Sequence, residues 1–229
     1  MHTIYRNPEN NTPTFIIHDI LPPEVCNKLI ESYKDKTGVG SHYNKTGKLD
    51  TQKQVRDSDV VFIHEPHVME KLQTAIKIAN HVSEWNLDIT ATEQIQFTKY
   101  GPEQHYSWHE DGTSCSYSKR RYVFDKPNNL NETIYPHLIN TCRKISGSVI
   151  LNDDYSGGEF EVAWLLSNEG ELELKKSFIK PKIGDIIIFP SYLPHRVRPV
   201  KVGTRYSLVI WAGGPSMKWV VRIGIIQRS

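Results

Sequence analysis

Within residues 96–112, QFTKYGPEQHYSWHEDG, an imidazole and a carboxylate stand two positions apart, at His109 and Asp111. On an extended chain, residues two apart project to the same face, so both groups can reach one point in space. That is half of a metal site. A second imidazole, His195, follows the most apolar strand-like run of the chain in GDIIIFPSYLPHRVRPV. Two histidines and one carboxylate form the facial triad that leaves adjacent positions on Fe(II) open to a co-substrate and oxygen, an arrangement suited to oxidation rather than to a structural metal. Taken separately, each piece has a plainer reading: H-x-D is a polar turn, and His195 is a surface or satisfied core histidine.

Ten positions after His195, GTRYSLVIW places Arg205 near the start of a strand with Ser207 on the same face. A guanidinium holds a carboxylate through two parallel hydrogen bonds and a hydroxyl adds a third, which is what the distal end of a dicarboxylate requires. Tyr100, nine residues before His109, offers a phenolic donor to the same group. The plainer readings are an Arg at a strand edge and a packing Tyr. Trp211 shares the face of Arg205 and could line the barrel interior, with core packing as the favoured reading. His105 has the strand parity of His109 and Asp111, but Gly and Pro in GPEQHY interrupt the strand, so it is not counted as a ligand. The SKRRY cluster at 118–122, with Tyr117 and Tyr122 beside it, reads as a solvated loop rather than a phosphate-binding surface.

These residues need elements to position them. FIIHDILPPEVCNKLIESYKD reads as a short strand, a Pro-Pro break and a helix carrying Val25, Leu29 and Ile30. From Val68 to Trp85, Leu72, Ile76, Ala79, Val82 and Trp85 recur at helical steps and predict a second helix with one apolar face. Short β-rich runs follow at TEQIQFTKY, KISGSVILN, GEFEVAW, ELELKKSFIK, GDIIIFP and RYSLVIW. GDIIIFP is apolar throughout, as a strand covered on both faces should be. Helices followed by many closely spaced strands predict an α+β fold, a jelly roll or cupin-like barrel packed against N-terminal helices. One domain over 1–229 is expected: helical support over 1–90, the barrel over 91–212 with an insertion at about 113–141, and a tail over 213–229. The insertion is too long for an ordinary hairpin loop, so it is either a mobile loop or a functional lid.

A chain of 229 residues with 38% apolar content can bury one sizeable core. Its 28 basic and 26 acidic side chains give a charge of +2, with no electrostatic footprint for nucleic acid. Cys26, Cys115 and Cys142 are odd in number and lack C-x-x-C spacing, which argues against a disulfide framework and for a reducing compartment. With neither a signal core nor a membrane-length apolar run, the chain is expected to be soluble and cytoplasmic, with no membrane partner.

YGPEQHYSWHED resembles the Y-G-x-x-x-x-Y-x-x-H-x-D pattern of the Fe(II)/2-oxoglutarate-dependent oxygenases, in their prolyl 4-hydroxylase-like branch of bacterial and viral members. YSGGEFEV, KIGDIIIFPS and LPHRVRPVKVGTRYSLVIW resemble its later motifs, so the likeness runs from about Phe15 to Trp211. The resemblance implies a double-stranded β-helix, iron on His109, Asp111 and His195, and 2-oxoglutarate on Arg205 with Tyr100 and Ser207. It also implies O2 as co-substrate and ascorbate as an accessory reductant. Collagen-type prolyl hydroxylases usually have Lys where Arg205 stands, whereas oxygen-sensing and many bacterial relatives have Arg. The implied activity is hydroxylation of an unactivated C–H bond of prolyl residues in a peptide or protein. The alternatives are the same chemistry on a free amino acid or other small molecule, or a non-catalytic metal-binding barrel. Nucleobase demethylation is disfavoured, because such relatives carry a second Arg six residues after the first and this chain carries Trp211.

Overall fold

The computed structural model describes residues 4–6, 13–43, 49–112, 141–168 and 171–215. In chain order the elements are β1 (Ile4–Arg6), β2 (Phe15–Ile17), α1 (Pro23–Tyr33), β3 (Gly38–Val39), β4 (His42–Tyr43), β5 (Leu49–Asp50), β6 (Arg56–Asp57), β7 (Asp59–Ile63), α2 (Pro66–Val82), β8 (Ala91–Thr92), β9 (Ile95–Tyr100), β10 (His105–His109), β11 (Thr141–Ile150), β12 (Ser156–Gly157), β13 (Phe160–Asn168), β14 (Glu171–Ile179), β15 (Ile186–Pro190), β16 (His195–Val197), β17 (Val200–Val202) and β18 (Arg205–Pro215). Both helices open on a proline, where the missing N–H has no intrahelical partner to lose.

A nine-stranded antiparallel sheet runs β1-β2-β15-β11-β18-β9-β7-β3, with β8 paired to β18. A five-stranded sheet runs β14-β13-β16-β10-β6. Strand alternation sorts the large sheet's side chains onto two faces. Ile186 and Ile188 of β15 join Phe97, Leu208 and Ile210 in one buried cluster that also takes in Cys26 and Leu29 of α1 and Leu72, Ile76 and Ala79 of α2. Ile187 and Phe189 point the other way, into a second cluster with Phe160, Val162, Ile179 and Val197. The continuous apolar run of GDIIIFP thus serves two cores at once.

The first 90 residues supply more than helices. They place β1, β2, β3 and β7 in the large sheet and β6 in the small one, short strands in polar surroundings that carry no clear period. The second helix ends at Val82, which is exposed, and Trp85 lies beyond it, so its buried line is Val68, Leu72, Ala75, Ile76 and Ala79. The last strand runs on to Pro215, three residues into the stretch read as a tail. Residues 113–140 of the insertion, with the SKRRY cluster, and residues 216–229 lie outside the described residues, while Thr141 already belongs to β11. Cys26 is buried and free. Cys142 is disulfide-bonded, which the linear spacing of the cysteines did not suggest. Among the described residues, no helix is long and apolar enough to cross a membrane.

Candidate active site

The two histidines come from neighbouring strands of the small sheet. His109 ends β10 and faces His195, which opens β16, and Val162 of β13 flanks His195 on its other side. The β10 register shifts between Tyr106 and His109, so simple strand parity does not hold along the motif. His105 consequently belongs elsewhere: its ring contacts the backbone carbonyls of Glu103 and Gln54, and it stands outside the His109, Asp111 and His195 group.

Asp111 lies beyond the end of β10, in a bend. Strand alternation therefore does not deliver it to the histidines; the turn does. Gly112 N donates to Ser191 O at 2.9 Å, and a Cβ on Gly112 would lie 2.5 Å from the carbonyl oxygen of Arg143. Only glycine lets the chain pass this close to β11, and that passage holds the bend.

One ligand atom from each of His109, Asp111 and His195 lies within 4.8 Å of the others. Their tautomers follow from their partners. Nδ1 of His109 is 2.8 Å from Ser107 O, and Nδ1 of His195 is 2.8 Å from Leu193 O. A carbonyl can only accept, so Nδ1 of each ring carries a proton, and in the neutral form of either ring Nε2 presents a lone pair. These lone pairs face Asp111 at 3.7 and 3.5 Å. Burial, reinforced by His195, holds the His109 pKa well below its usual value, so this ring is neutral at pH 7. Burial pushes the Asp111 carboxyl up, but attraction to the imidazoles of His195 and His109 in their protonated forms, and to Arg143, outweighs it and holds the carboxyl well below its usual range. Three acceptors converge, an arrangement that fits a cation between them.

Packing fixes the imidazole planes. Tyr106 stacks on His109 with centroids 3.4 Å apart and planes 13° from parallel, and the buried Arg56 guanidinium lies 4.7 Å from the Tyr106 ring. Arg56 is held by Nε to Ser58 Oγ and Nη1 to Ser41 O. Burial pushes the Tyr106 phenol up to about 12, so it stays protonated. Phe189 and Phe160 pack on His195 with centroids 4.7 and 5.6 Å away.

The large sheet contributes the second half of the site. Arg205 opens β18 directly opposite Tyr100 at the end of β9, with its guanidinium 5.6 Å from that ring. It is 1% exposed, donates Nη1 to Ser207 Oγ at 3.0 Å, and leaves Nε and Nη2 buried with no partner among the described residues. A buried guanidinium with two free donors fits an anionic group. Gly158, at φ +63°, leaves room for it: a Cβ there would sit 3.1 Å from Arg205 Cδ.

Trp211 is buried, as a core-packing residue should be, although it lies outside the two apolar clusters. Arg143 lies over its ring at 3.7 Å and is clamped by Glu93 through hydrogen bonds of 2.5 and 2.6 Å, while the buried indole N–H has no partner. Sequence reasoning gave Arg56, Glu93 and Arg143 no role; nothing in their local spacing marks them. Polar Gln96, Thr98, Ser146 and Ser148 are buried within β9 and β11, and their alternation with apolar neighbours was a readable signal of a polar barrel interior.

The sequence model of the 2OG-Fe(II) oxygenase superfamily matches residues 95–213. PKHD-type hydroxylases of Xylella fastidiosa are 33% identical in strain M12 and 32% in strain M23, over 118 residues in each case. Those alignments take in 51% of this chain and 42% of the relatives, so the chain matches less than half of their length. Among solved structures, a viral collagen prolyl hydroxylase from Paramecium Bursaria Chlorella virus-1, in complex with 2OG, superposes with a TM-score of 0.58 at 20% identity, covering 89% of this chain and 97% of that one. A Trichoplax adhaerens prolyl hydroxylase, solved with a peptide of the hypoxia inducible factor oxygen degradation domain, gives 0.59 at 16% identity over 88% and 84% of the two chains.

Proposed function

Because the chain belongs to the 2OG-Fe(II) oxygenase superfamily, we propose that it is an Fe(II)- and 2-oxoglutarate-dependent dioxygenase that hydroxylates prolyl residues of a peptide or protein. The observation that carries the oxygenase reading is the pairing of two features: three convergent acceptors on the small sheet and, on the large one, a buried guanidinium with two free donors. His109, Asp111 and His195 hold the iron, and Arg205 with Tyr100 and Ser207 holds the distal carboxylate of 2-oxoglutarate.

When bound, iron, 2-oxoglutarate and oxygen supply the oxidising chemistry, in which decarboxylation to succinate and carbon dioxide is coupled to hydroxylation of a C–H bond. The chain's own residues bind, orient and shield. Ser107 O and Leu193 O fix both rings with Nε2 forward, and Asp111 supplies the negative charge. Ser207 Oγ anchors one arm of the Arg205 fork and leaves the others for the carboxylate. Phe160, Phe189 and Val162 exclude water on the His195 side.

The prolyl substrate is supported by the names of the similar structures, a viral collagen prolyl hydroxylase and a prolyl hydroxylase solved with a peptide.

Anaerobic loading with Fe(II) and titration with 2-oxoglutarate tests the oxygenase reading through the weak visible charge-transfer band of the iron-ketoacid chelate. The band should saturate, and Arg205→Ala should abolish it at the same concentration. Metal binding without a band would sink the proposal. With the band in hand, turnover with ascorbate as reductant is followed by mass spectrometry on proline-containing peptides and on free proline. A one-oxygen mass gain confined to free proline would overturn the peptide assignment.

A further inference from the structure

Four of the nine large apolar side chains exposed among the described residues fall on one hairpin: Leu165 on β13, and Leu172, Leu174 and Phe178 on β14. They are 63, 70, 58 and 46% exposed, respectively. Leu165 and Leu174 are directly paired, and Leu172, Leu174, Lys176 and Phe178 share the outer face of the small sheet by alternation. The strand that carries most of them is an edge. β14 ends the five-stranded order, its nine residues pair with β13 without a register shift, and its other side has no strand among the described residues.

Natural edges of this length are guarded by proline, bulges or free lysines. β14 has neither proline nor bulge. Its two lysines are occupied: Lys175 Nζ binds Glu173 at 2.5 Å, and Lys176 Nζ lies 5.7 Å from the Trp108 ring on the outer face. Among the described residues no strand pairs with this edge, and its sequence says what it fits.

In an antiparallel pairing of ELELKKSFI with itself about a two-fold axis, residues that face each other lie on the same side of the sheet, so the axis passes through a residue. An axis at Glu173, Lys175 or Lys176 stacks like charges on the axis itself, and one at Leu172 sets Glu171 against Glu173. An axis at Leu174 sets no like charges directly opposite each other along 171–177. It pairs Leu174 with its own copy, and Glu173 with Lys175 in both directions. That register also sets Leu165, Leu172 and Leu174 of the two copies side by side on one outer face, joining their apolar strips.

We propose that β14 is a homodimerisation edge, along which a second copy of this chain adds its own β14 antiparallel about Leu174 and joins the two small sheets into one. The consequence reaches the active site. β13 pairs with β14 on one side and, through Val162, with His195 of β16 on the other, so the joined edge stands two strands from a proposed metal ligand.

Sedimentation velocity on the full chain, from low to high micromolar concentration, tests this directly. Wild type should pass from monomer to dimer across that range. Glu173→Lys and Lys175→Glu, made singly, each set like charges together twice and should weaken association at least about tenfold. The exchange of both residues restores both pairs and should restore the dimer. Circular dichroism and binding of Mn(II) should be unchanged in all three, which separates loss of the edge from loss of the fold. A wild type that stays monomeric throughout overturns the proposal. So does a dimer that survives both single changes, or a double exchange that fails to recover association.

Discussion

Arg205 carries the strongest residue-level constraint, because a guanidinium that is buried with two donors free is tolerable only where an anion arrives. Arg205→Ala removes two charge-assisted hydrogen bonds at about 1.5–3 kcal/mol each and should raise the Kd for 2-oxoglutarate at least about 100-fold. Equilibrium dialysis with the Mn(II)-loaded protein measures this without turnover, and Mn(II) affinity itself should not move. Ser207→Ala removes only the anchor of one arm and should cost less, within about tenfold. Gly158 tests the same side chain from behind. Ala at φ +63° costs about 1–2 kcal/mol of backbone strain, and its Cβ would press on Arg205 Cδ at 3.1 Å. Gly158→Ala should therefore weaken 2-oxoglutarate binding more than it weakens Mn(II) binding. An equal loss of both would point to general unfolding instead.

At the scale of elements, β15 shows how neighbouring positions of one strand answer to different parts of the molecule. Ile188→Ala opens a cavity in the cluster shared with α1 and α2 and should cost about 2–5 kcal/mol of stability by urea unfolding, with metal affinity intact. Phe189→Ala should cost as much and also weaken metal binding, since its ring packs 4.7 Å from His195. Of the elements, β15, β11 and α2 were legible in the sequence, because long apolar runs and helical spacing record burial directly. The triad was legible as residue types but not as geometry. Asp111 reaches the histidines through a bend held by Gly112 against Arg143, and no local period encodes a contact with a strand thirty residues on. Arg56, Glu93 and Arg143 were illegible for the same reason: each takes its meaning from a ring or carboxylate brought near only by the fold. Cys142 makes the point in reverse, since its disulfide contradicts what spacing alone suggested.

At the scale of the whole molecule, the proposed site is divided between two sheets. The metal ligands belong to the strands and bend of the small sheet, while Arg205, Ser207 and Tyr100 stand on β18 and β9 of the large one. A metal alone ties parts of the small sheet together, whereas a dicarboxylate held at one end by the metal and at the other by Arg205 ties one sheet to the other. Ligands that bind only the folded state raise its stability by mass action, by about 2.7 kcal/mol at a concentration of 100 Kd. The two ligands should therefore stabilise unequally and in order. Mn(II) alone should raise the Tm, 2-oxoglutarate alone should raise it little, and 2-oxoglutarate added to the Mn(II)-loaded protein should raise it further than it does the metal-free protein. Arg205→Ala should keep the Mn(II) increment and lose the 2-oxoglutarate one, while His109→Ala should lose both. Differential scanning fluorimetry over these combinations reads the coupling. If 2-oxoglutarate stabilised the metal-free and metal-loaded proteins equally, the two halves would not share one ligand, and Arg205 would be serving an anion unconnected with the triad.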